Sequence, residues 1–304
     1  MKLKRREFLE ALGAGTVAAT SAPAQAESVG TPLDPNGVLV DTTTCIGCRK
    51  CEWACDQVNG GLSGRNLEDF EDFSVFNAKR WMDSQSLTVV NRFANGTDPE
   101  KPIFVKSQCM HCLKPACASA CLVKALTVDQ ETGAVVYDAQ KCMGCRYCMV
   151  ACPFQVPTYE YEDPLTPRVM KCSFCFETKQ KEGKIPACAE VCPPMALTFG
   201  KRSELLRLAH DKIEAEPDRY IDRIYGEHEV GGTAWLYLAS KDFGELGFAK
   251  LAALPPSALT EAIQHGIFKF GIPPLLLFGL LGAAMVTFRE RDHEEAKPEL
   301  EVAS

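Results

Sequence analysis

The stretch Cys142-Met143-Gly144-Cys145-Arg146-Tyr147-Cys148-Met149-Val150-Ala151-Cys152-Pro153 sets four cysteines at gaps of two, two and three residues and ends in a Cys-Pro pair. The same gaps recur in Cys45, Cys48, Cys51 and Cys55. Two further groups keep the outer gaps and widen the middle one, to four residues in Cys109, Cys112, Cys117 and Cys121 and to twelve in Cys172, Cys175, Cys188 and Cys192. These groups use all sixteen cysteines of the chain. A cube of iron and sulfide needs one soft anionic ligand at each iron corner, and a thiolate supplies both charge and polarisability. Three cysteines two residues apart wrap three corners of one cube. The fourth, three residues on, is carried away by the start of a short helix and reaches a neighbouring cube. The count therefore reads as four [4Fe-4S] clusters with no ligand left over.

Two other uses of cysteine fit poorly. Zinc takes two Cys pairs separated by a longer stretch, not a triple such as Cys142, Cys145 and Cys148. Disulfides between cysteines two or three residues apart would close loops too short to restrain the unfolded chain. Nor can a conventional catalytic set be placed, because the five histidines, 111, 210, 228, 265 and 293, are scattered. Catalytic residues: none are expected.

The composition agrees with a folded carrier. With 46% hydrophobic and 24% charged residues the chain has enough apolar surface for a core. Its net charge of -7 leaves no basic footprint for nucleic acid. Residues 1–26 read as an export leader of the twin-arginine type: Arg5-Arg6 precede Phe8-Leu9, a Gly/Ala-rich stretch follows, and Ala24-Gln25-Ala26 marks a cleavage site. Such a route carries proteins already folded around their cofactors, which shields thiolates from oxidation outside the cell. Near the other end, residues 270–288 carry no charge. That length is expected to form a single transmembrane anchor within 263–291, followed by a cytoplasmic tail, 292–304. A buried core helix is the competing reading.

Between leader and anchor, residues 27–240 read as one cluster-bearing domain with an insertion at 56–108, and 241–262 as a linker. Residues 126–129 and 134–137 flank Gln130-Glu131-Thr132-Gly133 as a hairpin, and 198–200 look like its counterpart after the last group. Strands are expected at 87–93, 103–106 and 235–239, and a helix at 203–216.

The cysteine groups resemble the four-cluster, polyferredoxin-like subunits of membrane-bound oxidoreductases, strongly over residues 38–200. With the twin-arginine leader, Gly231-Gly232-Thr233 and the segment Ile263 to Lys269, the likeness is greatest to the exported iron-sulfur subunit of hydrogenase-2 type nickel-iron hydrogenases. The resemblance implies an α+β fold: two ferredoxin-like two-cluster modules with insertions, plus one C-terminal transmembrane helix. It implies no enzyme activity of the chain's own, but an electron relay at the periplasmic face of the inner membrane. The implied partners are a periplasmic catalytic subunit, of hydrogenase or molybdopterin type, and an integral-membrane quinone-binding subunit.

It also implies a pairing. Cys45, Cys48 and Cys51 would share a cluster with Cys192; Cys172, Cys175 and Cys188 with Cys55; Cys109, Cys112 and Cys117 with Cys152; and Cys142, Cys145 and Cys148 with Cys121. The sequence permits other pairings. Arg49, Lys50, Arg146 and Lys171 are candidates for charges that raise cluster potentials, or for solvated surface charge. Lys179, Lys181 and Lys184 can touch a partner or line a wet loop. His111 is expected to hydrogen-bond near a cluster sulfur. His265 can face a quinone site, and an interfacial histidine without that role fits equally.

Overall fold

A computed structural model describes residues 34–258, except 96, 97, 99 and 164, together with 272–295. The leader at 1–26 and His265 lie outside the described residues. The chain divides into two units, Ser28–Ser257 and a second composed of Met1–Glu27 with Ala258–Ser304.

In the larger unit, β1 (Asn36–Asp41) runs into the first cysteine group and the first helix, α1 (Lys50–Val58). The insertion then folds as two 3-10 turns and an antiparallel hairpin of β2 (Thr88–Phe93) and β3 (Ile103–Gln108). The second cysteine group ends in α2 (Ala116–Ser119), followed by the hairpin β4 (Leu126–Val128) and β5 (Val135–Tyr137). The third group leads to α3 (Tyr147–Ala151), and β6 (Thr158–Tyr159) pairs with β7 (Val169–Met170) on the way to the fourth. That group ends in α4 (Ala187–Glu190), β8 (Leu197–Lys201) and α5 (Arg202–Ala215), and β9 (Trp235–Leu238) closes the unit's strands.

The expected strand at 198–200 is the core of β8, and its partner comes from far away. β8 pairs antiparallel with β1, with Leu39 opposite Thr198, and β9 joins the other edge of β1 in parallel. A repeat is thereby exposed. In each half, the strand before a regular group pairs with the strand after an enlarged one: β1 with β8, and β5 with β4. The short helices follow the same rule, α1 packing on α4 and α2 on α3. The second and third groups thus form one module, set within a module made of the first and fourth.

Alternation explains the core. Val38 and Val40 of β1 join Trp235 and Tyr237 of β9 in one apolar cluster, while Leu39, Leu236 and Leu238 turn to the opposite face. There they meet Leu205, Ala209 and Ile213 of α5, spaced by one helical turn. The segment after β9 packs down as well, with Phe243 and Leu246 buried against Tyr225 and Tyr237.

The smaller unit corrects the expected fold class and localisation. Its helix α6 spans Ile272–Glu295, and among the described residues no helix is long and apolar enough to cross a membrane. Only Ile272 to Phe288 of α6 is uncharged, and Arg289 to Glu295 are ionisable throughout. At ~1.5 Å per residue that uncharged part falls short of a ~30 Å hydrocarbon layer. The expected C-terminal transmembrane helix, and membrane attachment through it, are therefore not supported.

Candidate cluster-binding site

All sixteen cysteines are free thiols, and they gather by cavity. One cavity is lined by Cys45, Cys48, Cys51 and Cys192. A second is lined by Cys55, Cys172, Cys175 and Cys188. A third is lined by Cys109, Cys112, Cys117 and Cys152. The remaining four meet where Cys121, Cys142 and Cys148 pack in one apolar cluster, with Cys145 close enough to act on the Cys148 thiol. The thiols do not converge on a point: among the described residues no three His, Cys, Asp or Glu side chains could hold a single metal ion. They surround spaces instead, as the corners of a cube require.

The local fold explains how one group serves two cavities. Cys51 and Cys55 lie one turn apart on α1, ~6 Å along its axis. Cys51 reaches the first cavity and Cys55 the second, so α1 stands between them. Cys188 on α4 lines the second cavity, and Cys192, two residues past the end of that helix, lines the first. The helix before Cys152-Pro153 ends at Ala151, whereas α1 runs past Cys55 to Val58.

The groups form a row. Cys51 of the first cavity faces Cys188 of the second, Cys172 of the second faces Cys109 of the third, and Cys117 of the third faces Cys148 of the last group. Burial and neighbouring thiols push these thiols up, Cys45 and Cys148 to about 11 and Cys117 and Cys172 to about 12. Bound iron removes that reluctance, because a coordinating thiol is deprotonated outright.

Three observations test whether the cavities suit such a guest. First, the backbone is left-handed at matching places: Gly47, His111, Gly144 and Phe174 all lie two residues after the first cysteine of their group and all have positive φ. This winding turns successive N–H groups inward, a concavity suited to anions and iron-sulfur centres. Gly144 and Phe174 donate their N–H to the sulfurs of Cys142 and Cys172, at 3.5 and 3.4 Å, and Gly47 donates to Cys45. Second, the last cysteines share a donor four residues on: Ala125 for Cys121 at 3.2 Å, Val156 for Cys152 and Ala196 for Cys192. At Cys55 the side-chain amide of Asn59 takes that place, at 3.6 Å. Third, the indole N–H of Trp235, a residue that lines the second cavity, is fully buried without a protein partner. Such a donor needs an acceptor, and a cluster sulfur would supply one. The residues present therefore fit [4Fe-4S] clusters.

The basic residues sort differently from expectation. Arg49 is buried and pairs at 3.0 Å with Glu52, a carboxylate it shares with Arg80, and it donates to main-chain oxygens of Phe70 and Asp72. Lys50 is exposed, and Arg146 lies over the Tyr159 ring. Lys171 is buried and donates to the oxygen of Cys172 at 3.1 Å. Lys179, Lys181 and Lys184 pair with Glu190, Glu177 and Glu182. His111 bonds to the main chain of Cys172 and Val135, not to a sulfur.

Lys106 had no signal in the sequence. Strict alternation along β3 would turn it outward with Phe104, yet it is 2% exposed and lines the first two cavities. Burial disfavours its charge, but Cys188, Cys51, Cys172 and Tyr237 outweigh that and hold its pKa above the ordinary lysine value. Gly231-Gly232-Thr233 also finds its purpose: Leu113 donates to the oxygen of Gly232 at 3.0 Å, and Ala234 to that of Met110, so this segment braces the loop of the second group.

Comparison with known proteins agrees with this chemistry. Residues 101–202 match a 4Fe-4S dicluster domain, a span that includes the second, third and fourth groups. A protein of Nitratidesulfovibrio vulgaris is 47% identical over 91% of this chain and 76% of its own length. The hydrogenase-2 operon protein HybA of Escherichia coli O157:H7 is 31% identical over 96% of this chain and 98% of its own. The formate dehydrogenase-O iron-sulfur subunit of Escherichia coli is 32% identical over 76% and 75%. The chain belongs to this family of polyferredoxin-like iron-sulfur subunits, which bind [4Fe-4S] clusters and transfer electrons without catalysing a reaction of their own.

Proposed function

We propose that the chain relays electrons along the row between a periplasmic catalytic subunit of hydrogenase type and a quinone-reactive integral-membrane subunit. The cysteines of each cavity are the ligands of one cluster, and the last four, Cys121, Cys142, Cys145 and Cys148, hold the fourth. When bound, a [4Fe-4S] cluster supplies a one-electron site. The protein's part is to space these sites, keep water from the inner ones and leave the outer ones reachable.

The observation that carries the reading is graded burial along the row. The four thiols of the second cavity are all buried, whereas Cys45, Cys48 and Cys192 at one end are half-buried and Cys145 at the other is exposed. Beside those ends stand large exposed apolar residues: Ile46 and Met195 at the first, Leu122, Met143 and Val150 at the last. Apolar surface at both outlets suits docking by other subunits. The likeness to HybA over 98% of that protein supports the hydrogenase partner. A formate dehydrogenase complex is the second reading, supported by the iron-sulfur subunit that shares 32% identity.

The test is to purify the complex anaerobically and assay hydrogen- and formate-dependent quinone reduction with and without this chain. Hydrogen-dependent quinone reduction that survives deletion of the chain would overturn the hydrogenase reading. The ligand sets are tested separately: Cys55→Ser is expected to alter the cluster of Cys172, Cys175 and Cys188, and to leave that of Cys45, Cys48 and Cys51 intact by electron paramagnetic resonance.

A further inference from the structure

Lys106 touches two cavities at once, and its ammonium is held in place from several sides. Nζ donates to Thr88 Oγ1 at 2.7 Å and to Gln108 Oε1 at 2.9 Å. Gln108 in turn donates from Nε2 to the Tyr237 hydroxyl at 2.6 Å, and that hydroxyl donates to the main-chain oxygen of Lys106 at 2.9 Å. The loop of bonds closes on the residue where it began. Nζ also lies 4.5 Å from the centre of the Trp235 ring. These partners are all uncharged, in contrast to Arg49, which is paired with the Glu52 carboxylate. The side chain therefore brings an uncompensated, immobile positive charge between two sets of thiols, in surroundings where charge is weakly screened.

We propose that Lys106 is a positioning residue for electron transfer, one charge shared by the clusters of the first and second cavities that raises both their reduction potentials together. This rests on the ligand sets proposed above. In each reduction one electron leaves the adjacent member of the row and enters one of the pair; no bond forms or breaks, and no proton moves at Nζ. The added negative charge is stabilised by the nearby cation, so its effect falls on the reduced form. Because the same ammonium lines both cavities, it shifts the two sites in the same direction. It thereby sets the level of this half of the row against the other half.

The test is a redox titration of the full chain followed by electron paramagnetic resonance, with iron counted in parallel. In Lys106→Gln, iron content is expected to stay at the wild-type level while two of the reduction steps fall together, each by tenfold or more in its equilibrium constant, or ~59 mV for one electron. Lys106→Arg is expected to keep both near wild type. Thr88→Asp, which sets a carboxylate against the retained ammonium, is expected to lower the same two steps. Unchanged potentials in iron-replete Lys106→Gln would overturn the proposal, and so would a fall in one step alone. Loss of both clusters in Lys106→Gln and Thr88→Asp alike would make the lysine a scaffold residue and overturn it as well. Wild-type chain without iron would instead sink the cluster reading itself, and this inference with it.

Discussion

His111 donates its Nε2 hydrogen to the main-chain oxygen of Cys172 at 3.1 Å, and this bond ties the loop of the second cysteine group to that of the fourth. The two loops belong to different modules. Val135 donates its N–H to Nδ1 at 3.0 Å, which leaves Nε2 as the ring's donor. The imidazole stacks on Phe174 with ring centres 4.8 Å apart. Burial first, and Lys171 second, hold its pKa well below the ordinary value, so the ring is neutral. His111→Leu leaves the buried Val135 N–H unpaired, at a cost of about 1–3 kcal/mol, and leaves Lys171 as the donor to the Cys172 oxygen. The urea midpoint is expected to fall by a corresponding amount, and His111→Gln is expected to recover part of it.

Glu52 is the clamp between the cluster-bearing helix and the insertion. It is buried on α1, pairs with Arg49 and Arg80, and accepts the N–H of Val90 on β2 at 2.6 Å. Glu52→Ala strands the buried Arg49 charge, a loss of about 3–5 kcal/mol. Thermal unfolding is expected to show it, and limited proteolysis is expected to cut first within residues 60–107.

Asp41 gives α5 an acid-sensitive attachment. Burial works against its carboxylate, but donors on Thr43, Lys212 and Tyr220 outweigh this and hold its pKa below the ordinary value. A depressed folded pKa means that the stabilisation is complete above the unfolded value of about 4 and disappears as pH falls through the folded one. Hydrogen exchange in α5 is expected to quicken below about pH 4 in the wild type. Asp41→Asn is expected to weaken α5 by about 2 kcal/mol at pH 7, with a difference from wild type that shrinks on acidification.

Gly232 must remain glycine. Its φ of 93° and ψ of 155° lie in a region essentially closed to other residues. A Cβ there would also sit 3.0 Å from Leu113 Cδ1 and 3.1 Å from the oxygen of Glu227. Gly232→Ala is expected to cost about 1–3 kcal/mol from backbone strain. Because Gly232 braces the second group, its iron is expected to be the most easily lost to a chelator.

The number and kind of metal-binding groups were legible in the cysteine spacing, because chain geometry alone controls which thiols within a dozen residues can share one centre. The hairpin of β4 and β5 and the helix α5 were legible for the same reason, each being stabilised by neighbours a few residues away. Which thiols share a cavity was another matter. Cys51 and Cys192 line one space because β1 pairs with β8 across some 160 residues, and no local pattern encodes that register. The uncharged run near the C-terminus carried a false signal, since its length was visible but not where the helix begins. Lys106 shows the same limit from the other side. Its sequence position is that of an ordinary strand lysine, and only the packing of the first and fourth groups' thiols around β3 turns it into a buried cation. Spacing along the chain determined the chemistry; long-range pairing, which brings distant groups into low-dielectric contact, decided where that chemistry sits and what charge it meets.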